Sequence, residues 1–168
     1  MSERDWMLEG RSWLFAEANL NTDLMMPPRG YTLPLAERAK LVFSANRPGW
    51  AEAVRASDIL IAGRNFGAGS SRPAPQLFRV LGISALVAES INGLFFRNCI
   101  NYALPAMECP GVAAAVTEGD RVRVEIRAGR FTNLQSRREL RGSAMPAMLL
   151  EILEAGGLYQ QLERSGAI

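Results

Sequence analysis

A glycine-rich loop contains the residues whose types and spacing are best suited to chemistry. Residues 63–75 read GRNFGAGSSRPAP, and they lie between an apolar run at 59–62 and a segment with a helical pattern. Glycine lets a ligand approach the backbone closely, and the first N–H groups of a helix carry partial positive charge. Ser70 and Ser71 add hydroxyl donors, and the planar fork of Arg72 matches a carboxylate. The pattern therefore predicts a binding site for an anion at this loop.

Well-known phosphate loops do not account for this segment. No GK[ST] follows the glycines, so it is not a P-loop, and the GxGxxG spacing of a dinucleotide-binding fingerprint is absent. A plain turn in which a serine caps the following helix is the simpler alternative. The arginine directly after the serines, together with two further polar segments, favours the anion site.

The first of these segments is a polar turn followed by a proline-flanked loop. Residues 19–23 read NLNTD, and Thr22 and Asp23 either bond their own backbone or contribute to a site. In the second case, Asp23 can orient a nearby arginine or take part in proton transfer. Downstream, Arg29 and Tyr31 lie on an irregular loop, a common location for residues that select a substrate.

The second polar segment belongs to a predicted helix. Asn98 and Asn101 are three residues apart and share one helix face. Buried asparagines of this kind usually hold loops by hydrogen bonds. We group Asn98 with Asn65, Gly67 and Gly69 of the glycine-rich loop as residues that shape the site without performing its chemistry.

Composition excludes several classes of protein. The chain has 168 residues, 48% of them hydrophobic, and a net charge of +2, which is too small to predict nucleic-acid binding. Of its 19 basic residues, Lys40 alone is a lysine. No apolar run is long enough to cross a bilayer, and no secretory signal is recognised at the start. We expect a cytoplasmic protein that binds neither membranes nor nucleic acid.

The lack of histidine and the scarcity of cysteine restrict the chemistry further. A Ser-His-Asp hydrolase is excluded, since the chain contains no histidine. Cys99 and Cys109 form no CxxC motif, and two thiolates cannot complete a four-cysteine iron–sulfur site. We predict two reduced, largely buried thiols and no metal bound by this chain.

Hydrophobic patterns place the glycine-rich loop inside a βαβ unit. Apolar runs at 59–62 and 85–88 predict buried strands, and a helical pattern from Pro73 to a capping Gly82 predicts the helix between them. A second apolar helix is predicted over residues 91–103. The loop then lies at the carboxyl end of a strand, where α/β proteins commonly bind ligands.

Weaker patterns cover the rest of a single α/β domain that spans residues 1–168. These patterns predict a first strand and its exit at 11–18, turns at 19–33, a broken helical stretch at 34–55, a strictly alternating strand at 120–127 with a partner near Phe131, and a closing helix at 146–155. Val122, Val124 and Ile126 of the alternating strand are predicted to face the core.

Together these segments resemble one family. GRNFGAGSSR followed by LVAESINGLFFRNCINYALP resembles the small subunit of 3-isopropylmalate dehydratase, the equivalent of the mobile swivel domain in the aconitase superfamily. The segments EGDRVRVEI and LEILEAGGLYQQL fit as well, so the resemblance covers nearly the whole chain. It implies a swivel-type α/β domain with a mixed β-sheet curled toward a barrel and flanked by helices.

The resemblance also implies a division of labour between two chains. An iron–sulfur large subunit would hold a [4Fe–4S] cluster that acts on the substrate hydroxyl, in a heterodimer or heterotetramer. The complex would dehydrate and rehydrate a hydroxy di- or tricarboxylic acid in leucine biosynthesis, and this chain alone would be inactive and able to self-associate. By motif position, Ser70 would supply the alkoxide that removes a proton, Ser71 and Arg72 would bind carboxylate, and Thr22 and Asp23 would match the family's TD pair.

Departures from the family pattern leave the substrate open. GSSRPAP replaces the frequent GSSRE, Asn21 replaces an acid before the TD pair, and Ala68 stands where cysteine is frequent. Homoaconitate, methylmalate-type and citrate-like acids are therefore alternatives to isopropylmalate. An anion-binding or regulatory module without turnover is a further alternative, as is a structural subunit with a decayed site.

Overall fold

A mixed β-sheet forms the centre of the molecule. The computed structural model describes residues 6–69 and 72–168, and within them seven strands are ordered β4-β3-β2-β1-β5-β6-β7. The strands are β1 (Met7–Phe15), β2 (Ile59–Ala62), β3 (Ala85–Ala88), β4 (Ala106–Glu108), β5 (Arg121–Glu125), β6 (Arg130–Asn133) and β7 (Glu139–Arg141). Strands β1 to β4 are parallel neighbours, and β5, β6 and β7 extend the sheet antiparallel from β1. The curled mixed sheet that the family resemblance implies is confirmed.

Short helices cover both faces of this sheet. They are α1 (Thr22–Met25), α2 (Leu35–Ala39), α3 (Trp50–Ala53), α4 (Ala74–Leu81), α5 (Gly93–Asn101), α6 (Ala147–Ala155) and α7 (Leu158–Ser165), with 3₁₀ turns at Pro28–Gly30 and Ala113–Ala115. Helix α4 ends at Gly82, whose φ of +104° suits glycine. Helix α5 begins after Asn92, whose side chain accepts the Leu94 N–H at 3.1 Å.

The apolar residues of alternate strand positions separate into two core layers. Leu60 and Leu86 pack with Phe78 of α4 on one face, while Ile61 and Val87 pack on the other with residues of α6. Val122, Val124 and Ile126 are fully buried, as predicted from the alternation. Both faces of the parallel strands are covered, which explains their continuous apolar runs.

The structure corrects several predicted boundaries. Strand β1 covers Met7–Phe15 rather than starting at residue 11, and the turn-rich 19–33 segment contains α1 and a 3₁₀ turn. Helix α4 begins at Ala74, with Pro73 in the capping position. Strands β4 and β7, of three residues each, were not predicted because such short segments show no period. Helix α7 lies beyond the closing helix predicted at 146–155 and was not predicted.

The βαβ unit brings two loops to one edge of the sheet. Strands β2 and β3 are parallel with Ile61 opposite Val87, and α4 connects them. Strand β1 is parallel to β2, with Phe15 opposite Ala62. The segment after β1 therefore emerges beside the glycine-rich loop after β2, at the carboxyl ends of both strands.

A buried aspartate joins β1 to the turn before β2. Asp58 is 3% exposed, and its carboxylate accepts hydrogen bonds from Arg11 at 2.7 and 3.3 Å, from the Trp13 indole at 2.8 Å and from the Arg55 N–H at 2.9 Å. Burial by itself raises the pKa of Asp58, but the hydrogen bonds from Arg11, Arg55 and Trp13 together outweigh burial and lower it. The ionised form is therefore the one that the fold stabilises.

This carboxylate makes stability depend on acid pH. Because the folded chain binds the Asp58 proton more weakly than the unfolded chain, the contribution is present above the ordinary aspartate pKa and is lost as pH falls toward the lower folded pKa. We expect Asp58→Asn to lower the free energy of unfolding by about 2 kcal/mol at pH 7, and less at pH 3. Urea titrations of both proteins at the two pH values measure this, and an equal difference at both would contradict it.

Candidate functional site

Backbone hydrogen bonds join the two loops at the edge of β1 and β2. Gly67 and Ala68 donate their N–H groups to the carbonyl of Leu20 at 3.0 and 3.1 Å. Thr22 donates its N–H to the carbonyl of Ala68 at 2.9 Å, and Asn21 forms a parallel bridge with Ala68. The polar turn predicted as a second site is thereby fixed against the glycine-rich loop.

The glycines of this loop sit where a side chain would collide with a neighbour. Gly67 has φ +82°, and a Cβ there would lie 2.2 Å from the ring of Phe95. Gly69 has φ +105°, and a Cβ would lie 2.9 Å from the amide of Asn21. Positive φ and close approach together require glycine at both positions. They hold the loop against α1 and α5.

Asparagines hold the two ends of the loop. The Asn65 amide donates to the Asn19 side-chain carbonyl at 2.8 Å, and the Asn65 backbone N–H donates to the Ser90 hydroxyl at 2.8 Å. At the other end, the Asn98 amide donates to the backbone carbonyl of Arg72 at 3.3 Å. Asn101, which we expected to be buried, is exposed at the end of α5.

Arg72 is the centre of the described site. Its guanidinium pairs with the Asp23 carboxylate and donates to the Met26 carbonyl at 3.3 Å. Its Cζ lies 5.4 Å from the centre of the Tyr31 ring, within cation–π range. Three sequence-predicted residues from separate segments, namely Asp23, Tyr31 and Arg72, therefore come together.

The exposure of these groups decides what the guanidinium can do. The Arg72 side chain is 23% exposed, whereas the Asp23 side chain is 61% exposed. An ion pair with so exposed a partner is screened by water and contributes little to stability. A carboxylate arriving from solvent can therefore compete with Asp23 for the same fork, which has five N–H donors in one plane.

Two further predicted site residues are Thr22 and Arg29. Thr22 is fully buried, so in this structure it supports the loop through its backbone and presents no surface to a ligand. The Arg29 guanidinium donates to the Ser44 hydroxyl at 2.7 Å and is not among the described partners of Arg72. Ser70 and Ser71 lie outside the described residues.

The sequence analysis did not predict a role for Arg38, whose side chain contacts the loop that carries Tyr31. The Arg38 guanidinium hydrogen-bonds three carbonyls of the loop that carries Tyr31. Arg38 lies on α2, within the broken helical pattern, where an arginine reads as an ordinary surface residue. No local signal in the sequence distinguishes it, because its partners are fixed by the fold of the loop.

The chain's own thiols do not fit an iron–sulfur cluster. Cys99 and Cys109 are fully buried and belong to the two different core layers, so they do not face a common position. Burial raises the pKa of the Cys99 thiol, and burial together with the charge of Glu89 raises that of Cys109 to about 11, so both stay protonated. Within the described part of the chain, no group of three or more acidic, cysteine or histidine residues is placed to hold a metal ion.

Across residues 6–69 and 72–168, no helix combines the length and apolar character needed to span a membrane.

The loop between β2 and α4 belongs to a segment that resembles one class of domain, the C-terminal domain of aconitases. The family model of the aconitase C-terminal domain matches residues 36–110, which include this loop. A solved structure of 3-isopropylmalate dehydratase from Methanocaldococcus jannaschii superposes with a TM-score of 0.87 at 26% identity, covering 96% of each chain.

Full-length relatives narrow the class to a family. The isopropylmalate/citramalate isomerase small subunit of Methanocaldococcus jannaschii is 40% identical over 96% of each chain. The methanogen homoaconitase small subunit of Methanothermobacter thermautotrophicus is also 40% identical, over 90% of this chain and 88% of its own. The chain therefore belongs to the family of 3-isopropylmalate dehydratase small subunits, which are hydro-lyase subunits, and the family resemblance found in the sequence is confirmed.

Proposed function

We propose that this chain closes the active site of a two-subunit hydro-lyase that removes water from, and adds water to, a hydroxy dicarboxylic acid. The observation that carries this proposal is the placement of Arg72. Its guanidinium, at the end of the GAGSSR loop, is reachable from solvent and is held by Asp23 and Tyr31 at the carboxyl edge of β1 and β2. Family membership supports the reaction type, and the exposure and position of Arg72 support a carboxylate site there.

Arg72 would bind one carboxylate of the substrate. Two N–H groups of a guanidinium match the two carboxylate oxygens, which fixes the orientation of the acid as well as its charge. Asp23 would hold the Arg72 guanidinium until a substrate carboxylate takes the place of Asp23. The Tyr31 ring would cover one side of the guanidinium. Ser71, next to Arg72 in the chain, would donate a further hydrogen bond to the same carboxylate.

Ser70 would remove the proton. The C–H bond next to a carboxylate breaks, its proton goes to the Ser70 oxygen, and the electron pair forms a C=C bond while hydroxide leaves the adjacent carbon. A serine hydroxyl has too high a pKa for this role in water. A nearby cation favours the alkoxide, and the Arg72 charge is two residues away in sequence. Addition of water reverses the same steps.

The large subunit would carry the iron–sulfur cluster that the resemblance implies. The two buried thiols of this chain do not fit cluster ligation, so we place the cluster on the partner. The small-subunit names of the relatives support a large-subunit partner, and its cluster is part of the proposal. A cytoplasmic location and the stoichiometry of the complex stay predictions.

The substrate would be a dicarboxylic acid, and the further substituent it carries would differ from one family member to another. The relatives' names mention isopropylmalate, citramalate and homoaconitase, so acids of different size and charge are accepted within one family. Isopropylmalate would place the enzyme in leucine biosynthesis. Because GSSRPAP replaces GSSRE, homoaconitate-type, methylmalate-type and citrate-like acids are kept as alternatives.

Reconstitution with the large subunit tests this function. We expect the purified pair to convert at least one of isopropylmalate, citramalate and homocitrate to its unsaturated acid, followed by the ultraviolet absorbance of the new C=C bond. Each subunit alone serves as the control and should be inactive. A folded, cluster-loaded complex that converts none of these acids would contradict the proposal, as would turnover by this chain alone.

A regulatory module without turnover is the second candidate. The observation that favours it is the loss of the usual acid after GSSR, combined with an Arg72 guanidinium that is reachable in the isolated chain. Calorimetry on the isolated chain separates the two functions. Submicromolar binding of a dicarboxylate without any partner favours the regulatory module, and weak or absent binding favours the enzyme.

A further inference from the structure

We propose that Arg38 is a positioning residue, which fixes the loop bearing Tyr31 and thereby shapes the substrate side of Arg72. This inference rests on the proposed function, because it concerns the same site. Arg38 lies on α2, and its guanidinium donates to three carbonyls of one loop: from Nε to Gly30 at 3.1 Å, and from Nη2 to Tyr31 at 3.0 Å and Leu33 at 3.1 Å.

The loop's own hydrogen bonds do not fix its position. The N–H groups of Gly30, Tyr31 and Leu33 donate to carbonyls within residues 27–30. These bonds set the local turn, and its described hydrogen bonds to the segment from α2 onward come from side chains: Arg29 donates to Ser44, and Arg38 donates to the loop carbonyls. The bonds from Arg38 tie the turn to the helix, with a charged donor that strengthens each of them.

Packing supports the same assignment independently of the hydrogen bonds. Gly30 is buried, and a Cβ at this position would lie 2.9 Å from the Leu41 side chain and 3.3 Å from Cγ of Arg38. The loop backbone thus rests on the aliphatic part of Arg38 while its carbonyls meet the guanidinium. The Arg38 side chain therefore holds the loop in two ways, by the packing of its aliphatic part and by the hydrogen bonds of its guanidinium.

By holding the loop backbone, Arg38 also holds the Tyr31 ring beside the Arg72 guanidinium. The Tyr31 side chain is on the surface, 43% of the residue is exposed, and its ring lies 5.4 Å from the Arg72 Cζ. An acid bound by Arg72 meets this ring on one side. The described partners of the Arg38 guanidinium are the loop carbonyls, so we assign it an effect on the ligand through Tyr31.

Substitution of Arg38 in the reconstituted complex tests this role. We expect Arg38→Met to raise KM about tenfold, the worth of one charge-assisted hydrogen bond, while kcat stays within about twofold because the base is untouched. The ratio of kcat/KM between isopropylmalate and citramalate should shift as well. Arg38→Lys keeps the charge but cannot span three carbonyls, so an intermediate KM is expected.

A control variant tests whether the effect is specific to Arg38, and a measurement on the isolated chain tests the role of Arg38 without the large subunit. Arg79 also donates to two backbone carbonyls, those of Tyr102 and Ala103, so Arg79→Lys should leave KM and the substrate ratio unchanged. In the isolated chain, chymotrypsin should cleave after Tyr31 about tenfold faster in Arg38→Lys than in wild type.

The outcomes then divide cleanly. An active wild-type complex in which both Arg38 variants keep the wild-type KM and substrate ratio would overturn the inference, and so would an unchanged cleavage rate. An inactive wild-type complex would instead refute the proposed function, and the cleavage rate would still decide the role of Arg38.

Discussion

In the two-subunit complex, Ser70→Ala is expected to lower kcat by about 10²–10⁴-fold, the usual contribution of a general base, with little change in KM. The substitution removes the atom that accepts the proton and leaves the carboxylate site at Arg72 in place. Steady-state assays of the unsaturated acid give both constants. A fall in kcat and kcat/KM by equal factors identifies an interaction made only in the transition state.

The adjacent serine provides the control for this substitution. Ser71→Ala makes the same chemical change at the next position of the loop, the loss of one serine hydroxyl, but it leaves the proposed base intact. It should raise KM several-fold through one lost hydrogen bond and keep kcat within about an order of magnitude. If the two variants show interchanged effects, the base is Ser71. If neither lowers kcat more than tenfold, the loop serves binding alone.

The second large effect is expected for Arg72→Lys. We expect KM to rise about 10–100-fold, because an ammonium keeps the charge but cannot bind two carboxylate oxygens in one plane. A smaller fall in kcat should accompany it, since the remaining positive charge still favours the Ser70 alkoxide. Substrate titrations of the variant complex measure both constants.

A second arginine of the same loop provides the comparison for Arg72. Arg64 is exposed at the start of the glycine-rich loop, and it is not among the described partners of Asp23 and Tyr31. Arg64→Lys should keep the wild-type KM. Equal KM values for Arg72→Lys and wild type would show that the guanidinium remains paired with Asp23 and does not bind substrate.

Local pattern was sufficient to predict the elements that position the site. The apolar runs at 59–62 and 85–88 became β2 and β3 to the residue, because a strand buried on both faces needs an unbroken apolar segment. The helix after the loop ends at Gly82 as predicted, because a left-handed terminal residue favours glycine. Elements of three residues, such as β4, carry too few positions to show any period.

The contacts within the site depend on tertiary structure more than the surrounding helices and strands do, so they could not be predicted from local patterns. The pairing of Asp23 with Arg72 joins residues from two loops, and it follows from the parallel arrangement of β1 and β2 and not from any spacing in the sequence. Thr22 was predicted either to bond its own backbone or to contribute to a site, and its position in α1, which buries it completely in this chain, could not be read from the sequence. Arg38 was overlooked because its partners are backbone carbonyls, which every residue possesses.

Single-turnover elimination is the most direct test of the proposed proton transfer. Complex and substrate are mixed with enzyme in excess, so that all substrate is bound, and the first formation of the C=C bond is followed by ultraviolet absorbance. We predict that Ser70→Ala binds the acid as well as wild type does but forms the double bond about 10²–10⁴-fold more slowly. Bond formation at the wild-type rate would contradict the account, because the proton would then be leaving to a group other than Ser70.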